Sequence, residues 1–258
     1  MKIELTFLGT GTSTGVPVIG CHCATCSSND TKDKRLRSSV LISVENGPTI
    51  LIDAGPDFRQ QMLRCGAETI DAILLTHEHY DHVGGLDDVR GLNYSTQHGV
   101  SLYAQPNVIE AVKRNLHYAF AATPYPGSPV ISLNEITKDK IAVEGVEVTP
   151  LPVIHGHLTI LGYRIGPLAY ITDASIVPDE TIEKAKGVNT LIINALGPFT
   201  HPSHMSLSQA IDAATRIGAK HTYFTHISHK MPPTAEVEKT LPTNMLLAYD
   251  GLKTIIED

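Results

Sequence analysis

The segment Thr76-His77-Glu78-His79-Tyr80-Asp81-His82 follows directly on the apolar run Ala72–Leu75. A short run of Ala, Ile and Leu reads as a buried strand, so the cluster falls where that strand ends. Three imidazoles and the Asp81 carboxylate within six residues supply the ligand types that zinc, manganese or iron needs. A polar turn that holds histidines by coincidence is the competing reading. The placement of the other histidines argues against it: of thirteen, those at 155, 204, 226 and 229 also fall at or near the ends of apolar runs. The chain is therefore expected to fold so that several strand ends converge on one cleft.

The organisation agrees. Ile3–Leu8 reads as a strand, and Ser39–Val44 with Thr49–Ile52 as a hairpin around Asn46-Gly47. Asp57–Cys65 has helical spacing and stops at Gly66, a plausible C-cap. Asn107–Tyr118 reads as a helix, followed by the Pro- and Gly-rich loop Ala121–Pro129. Further strands are expected at Ile141–Val143, Val146–Leu151, Gly162–Ile165, Leu168–Ile171, Thr190–Ala195, His221–Thr225 and Leu246–Ala248, with helices at Pro178–Lys186 and Ser206–Ile217. Strand-rich halves, each followed by helices, predict an α+β fold of two packed sheets with helices outside. With no low-complexity linker between the halves, residues 1–258 are expected to be a single domain. The loop Gly9–Gly15 resembles a dinucleotide fingerprint, but its third glycine is one residue late and no helical pattern follows; a tight turn approaching the site is expected instead.

Composition limits the partners. The net charge is −7 with His neutral, and the only basic stretch is the mild Lys32–Arg37, so a large nucleic-acid surface is not expected. No run approaches bilayer length and MKIELTFLGTG lacks a signal-peptide core, so the expectation is a cytoplasmic protein without a membrane partner.

Within the cluster, His77 and His79 can converge on one ion, while the adjacent Asp81 and His82 can diverge towards a second. Further candidates stand at strand ends: His155, Asp173 and His226. In order and approximate spacing, this set resembles the metallo-β-lactamase-fold hydrolases, over nearly the whole chain. The resemblance implies a four-layer αβ/βα sandwich with the site in the cleft between the sheets. It further implies one metal held by His77, His79 and His155, another by Asp81, His82 and His226, and Asp173 bridging both. Asp53, in Leu51-Ile-Asp-Ala-Gly55, would orient a ligand histidine from behind. The set is all nitrogen and oxygen, compatible with zinc, manganese or iron.

Cys21-His22-Cys23-Ala24-Thr25-Cys26 places three possible thiolates in one loop, and a closed tetrahedral site needs a fourth ligand. The loop resembles a narrower group, the phosphoribosyl cyclic phosphate phosphodiesterases and their relatives. There Cys-x-Cys-x-x-Cys binds zinc with the last His of Thr-His-Ile-Ser-His, a segment present here at Thr225–His229. The resemblance thus implies a structural zinc on Cys21, Cys23, Cys26 and His229. Free cytosolic thiols are the plainer alternative. Cys65 reads as a small core residue.

Two ions about 3.5–4 Å apart can generate a hydroxide at neutral pH and hold a phosphoryl oxygen against it. His204 matches the family's non-ligand histidine and is expected to be the general acid, or a phosphate contact. With Asp81 it makes up the expected catalytic pair. The leading expectation is a phosphodiesterase for small cyclic or alkyl phosphodiesters. The transfer-RNA 3′-processing nucleases share the metal motif but carry a long RNA-gripping arm where only 17 residues separate His155 from Asp173. Thioester hydrolases of the fold, and a carrier like the relative used in pyrroloquinoline quinone formation, complete the alternatives. Specificity is expected in the Gly91–Pro129 region, whose aromatics Tyr118, Phe120 and Tyr125 would cover the cleft, and in the loop Gly197–Ser206. Family resemblance makes a homodimer plausible.

Overall fold

A computed structural model describes residues 1–257. The strands, in chain order, are β1 (Lys2–Gly9), β2 (Ser39–Val44), β3 (Thr49–Ile52), β4 (Ala72–Leu74), β5 (Val100–Ala104), β6 (Ile131–Glu135) and β7 (Ile141–Val143). They continue with β8 (Val146–His155), β9 (Leu158–Ile165), β10 (Leu168–Ile171), β11 (Thr190–Asn194), β12 (His221–Thr225), β13 (Met245–Leu247) and β14 (Lys253–Glu257). They form two seven-stranded sheets, ordered β14-β1-β2-β3-β4-β5-β6 and β13-β12-β11-β10-β9-β8-β7. Each sheet joins a parallel part, β3 to β6 or β10 to β13, to an antiparallel part. The two halves therefore share one architecture.

Alternation along the strands builds four layers. From β3, Ile50 and Ile52 enter the core between the sheets with Ile3, Leu5, Phe7, Tyr163 and Tyr170, all essentially unexposed. Leu51 faces the other way, towards Phe58, Met62, Val108 and Val112. The second sheet repeats this: Tyr170 points inward, whereas Ala169 and Ile171 meet Ile182, Ala210, Ala214 and Ile217. Sheets apolar on both faces need a helical layer outside each, which gives the expected αβ/βα sandwich.

The helix Leu207–Ile217 shows why such elements form here. Ser206 Oγ accepts from Gln209 N at 3.3 Å and Gln209 Oε1 accepts from Ser206 N at 2.8 Å, a reciprocal cap worth about 1 kcal/mol. Ala210, Ala213, Ala214 and Ile217 bury one face, and Gly218 ends the helix in the left-handed conformation. Phe58–Cys65 ends likewise at Gly66, but Asp57 does not cap it; its carboxylate takes Arg37 at 2.9 Å instead. The expected helix Asn107–Tyr118 is observed as Pro106–Asn115. Its aromatic neighbours differ from expectation: Tyr118 and Phe120 pack onto the core under the first helical layer, and only Tyr125 stands exposed. Among the described residues no helix is long and apolar enough to cross a membrane.

Candidate metal centre

The parallel strands deliver the site from their C-terminal ends. Asp53 follows β3, Thr76 and His77 follow β4, Asp173 follows β10 and His226 follows β12, while His155 closes β8. The sheets are clasped at this level, Leu161 N donating to Thr76 O at 3.1 Å and Tyr163 Oη donating to Leu75 O. Asp53 (φ +63°), Asp173 (φ +60°) and His226 (φ +55°) all adopt the left-handed backbone conformation that side chains disfavour. Strain gathered at three neighbouring polar residues marks a site that the scaffold holds in place.

Asp53, fully buried, fixes the motif from beneath. Its carboxylate accepts from Thr76 N at 2.8 Å and Thr76 Oγ1 at 2.9 Å, and lies 2.7 Å from His82 Nδ1. Gly55 is required nearby: a Cβ there would lie 2.0 Å from Asp81 O. Asn194 brackets the residue after Asp173, its Oδ1 accepting from Ala174 N at 2.8 Å and its Nδ2 donating to Ala174 O at 3.0 Å.

Two ligand sets result. Nitrogens of His77, His79 and His155 lie within 4.8 Å of one another, and ligand atoms of Asp81, His82, Asp173 and His226 do the same. His155 Nδ1 donates to Asp173 O at 2.7 Å and Ser203 O at 2.8 Å, leaving Nε2 as its free electron pair. Asp173 belongs to the second group, one oxygen 3.3 Å from His82 Nε2 and the other 3.1 Å from His226 Nε2 and 3.6 Å from His204 Nδ1. It also shares a third cluster with His155 and His204. Each residue predicted for the centre is thus brought to it, including His204, which stacks on His226 with ring centroids 4.9 Å apart. His201 is exposed, 5.1 Å from His204 by ring centroids.

The electrostatics suit cations. Burial would raise Asp173 and Asp81, but His226 and His82 beside Asp173, and His82 beside Asp81, hold both below the usual carboxylate range. Burial keeps His77 and His226 low, hence neutral, the form that binds metal. Burial would also lower His82, but Asp173, Asp53 and Asp81 around it push it well above the ordinary histidine value. Its Nε2 is buried with no aligned hydrogen-bond partner, although carboxylate oxygens lie at 3.2 and 3.3 Å. Carboxylates that favour a proton on buried His82 favour a cation in the same place. The donor set therefore fits a divalent cation.

The cysteine loop gathers as well. Cys21, Cys23, Cys26 and His229 place their ligand atoms within 4.8 Å of one another, His229 Nδ1 lying 3.2 Å from Cys21 Sγ and 3.7 Å from Cys23 Sγ. The Cys26 backbone N–H, then His229, lowers the Cys23 thiol to about 6, while burial pushes Cys26 up to about 11. Cys65 lies elsewhere, donating to Met62 O. Sequence reasoning missed Thr76, Thr12 and Ser38. Thr76 adjoins the motif and its hydroxyl was visible there; Thr12 and Ser38 reach His226 across 214 and 188 residues, and no local pattern marks them.

Residues 48–227 match the model of the beta-lactamase superfamily domain. A Porphyromonas gingivalis protein named octanoyltransferase is 46% identical over 253 residues, covering 97% of this chain and 51% of its own length. The chain thus spans about half the length of that relative. A crystal structure of a diphosphatase from the PhnP family superposes with TM-score 0.92 at 43% identity, covering 99% of this chain and 98% of that one. Zn2+-bound PqqB from Methylobacterium extorquens superposes with TM-score 0.80 at 22% identity, covering 97% and 99%. The strand ends, the two ligand sets and these likenesses agree: the chain belongs to the beta-lactamase superfamily and groups there with the PhnP family.

Proposed function

We propose that this protein hydrolyses a small phosphodiester with two divalent cations in the cleft. The observation that carries the reading is Asp173, which groups with Asp81, His82 and His226 and also with His155 and the non-ligand His204. His77, His79 and His155 would hold one ion, Asp81, His82 and His226 the other, and Asp173 both; zinc, manganese and iron all suit these donors. Bound there, such ions supply a nucleophile from water at neutral pH and positive charge for a phosphoryl oxygen. Cys21, Cys23, Cys26 and His229 would close a separate structural zinc site.

The remaining work falls to side chains. Asp53 holds His82 with its proton on Nδ1, and the backbone carbonyls of Asp173 and Ser203 do the same for His155. His204 is only 12% exposed, its Nδ1 buried without a hydrogen-bond partner. Burial lowers it to about 3, so it stands neutral. An anionic phosphodiester beside it favours its protonated form, from which it donates to the leaving oxygen or to the phosphate.

Small substrates are favoured by what separates His155 from Asp173. β8 turns into β9 through Gly156-His157 alone, and β10 follows within three residues. A second reading, cleavage of a diphosphate link, draws support from the 43%-identical diphosphatase. Acyl-group chemistry, suggested by the longer Porphyromonas relative, is the contrasting outcome. Metal-loaded protein is expected to turn over bis(p-nitrophenyl) phosphate, with His204→Ala slowing it by about 10²–10⁴-fold. Turnover of a disubstituted diphosphate alone would move the proposal to the second reading. Cleavage of an acyl thioester with no phosphoester turnover would refute both.

A further inference from the structure

The loop after β1 reaches the half of the centre that contains His226. Ile227 N donates to Thr10 O at 2.9 Å and Thr12 N donates to Ile227 O at 3.1 Å, so two loops far apart in sequence are stitched together. Thr12 is pinned by this pairing at 7% exposure, with its hydroxyl 3.0 Å from His226 Nε2. Ser38 offers the other ring nitrogen an acceptor. Its Oγ donates to Gly11 O at 2.9 Å, so it can only accept from His226 Nδ1 at 3.3 Å. A cation on Nε2 fixes the His226 proton on Nδ1, where Ser38 Oγ accepts it, while the Thr12 hydroxyl and Asp173 Oδ1 both lie within 3.1 Å of Nε2.

The same Nε2 lies 3.1 Å from Asp173 Oδ1 and is the atom His226 offers to a cation. A cation there takes the electron pair, so the Thr12 hydroxyl cannot donate to Nε2. A buried hydroxyl does not remain unpaired without cost, and the backbone pairing prevents Thr12 from withdrawing. The acceptor that can arrive is an oxygen of whatever anion the centre binds. We infer that Thr12 is a substrate-contact residue, its hydroxyl donating to a non-bridging oxygen of the bound phosphoryl group. This rests on the phosphoester reading above. It gives the Gly9–Gly15 loop a function: its Thr, not its glycines, meets the phosphate.

The test compares metal-loaded parent, Thr12→Val and Thr12→Ser. Val keeps the branched shape and removes the hydroxyl; Ser keeps the hydroxyl. Three quantities are read: metal content, the affinity for inorganic phosphate by calorimetry, and kcat and KM for bis(p-nitrophenyl) phosphate. Thr12→Val is expected to keep the parent's metal content while phosphate affinity and kcat/KM each fall about ten- to a hundredfold, with Thr12→Ser recovering most of both. Parent-like phosphate affinity in Thr12→Val overturns the inference. So does a loss of metal that accounts for the lost affinity, since Thr12 would then serve His226 and not the substrate. If the parent cleaves no diester, the functional reading fails separately, and the phosphate affinities still decide the role of Thr12.

Discussion

Replacing Asp53 by Asn tests how the centre is held, with almost no change in shape. The carboxylate accepts from Thr76 N and Oγ1 with one side and faces His82 Nδ1 at 2.7 Å with the other. An Asn oriented to keep the Thr76 bonds presents its amide N–H to the His82 Nδ1–H, two donors face to face. His82 escapes this clash by moving its proton to Nε2, the nitrogen aimed at Asp81 and Asp173. That proton then occupies the direction a cation needs. The bond lost is charge-assisted and buried, worth about 1.5–3 kcal/mol. At about 1.4 kcal/mol per tenfold in affinity, Asp53→Asn should weaken metal binding roughly ten- to a hundredfold. The assay is competition with a chromophoric chelator, resolving the cleft ions, on protein whose fold is checked by urea denaturation. Weakening is expected for the ion at Asp81, His82 and His226, with the ion at His77, His79 and His155 less affected. A folded Asp53→Asn protein that binds both with parental affinity would refute the reasoning.

Two further predictions concern stability. Burial would raise Asp33, but Ser28, Thr234 and Arg35 around it lower it below its ordinary 3.8. Its contribution is thus fully present above about pH 4 and lost as pH falls through the lowered value; Asp33→Asn should flatten the acid limb of urea midpoint against pH, and an unchanged limb would contradict this. Gly55→Ala places a Cβ 2.0 Å from Asp81 O, backbone that cannot swing aside, so thermal unfolding should show a loss of about 1–3 kcal/mol together with weakened metal binding; a parental Tm would show that the 53–55 turn is not the close contact described.

Much of the centre was legible because its ligands stand at strand ends, and strand ends are visible as the limits of apolar runs. β2, β3, β7, β10 and β12 begin and end where those runs do. Other elements depend on distant partners. β14 pairs with β1 from the far end of the chain, Lys2 opposite Glu257, and Lys253-Thr-Ile-Ile-Glu257 alone carries little pattern. β5 alternates buried and half-buried residues, but Ser101 and Tyr103 dilute its apolar signal. The helix Val89–Thr96 contains Gly91, Ser95 and Thr96, poor helix formers, and exists because Val89 and Leu92 pack onto the first helical layer's core. The left-handed backbone at Asp53, Asp173 and His226 had no sequence sign, since it is imposed by tertiary contacts such as the Asn194 bracket at Ala174. Thr12 and Ser38 were hidden for the same reason: their contacts with His226 exist only once loops from opposite ends of the chain meet.

We propose that the cleft holds two cations, with Asp173 reaching both. Anomalous diffraction from crystals grown with zinc or manganese tests it most directly. Two peaks are predicted in the cleft, one amid His77, His79 and His155 and the other amid Asp81, His82 and His226, with Asp173 reaching both; with zinc, a third should lie among Cys21, Cys23, Cys26 and His229. A cleft with a single peak, or none, at saturating metal would contradict the account.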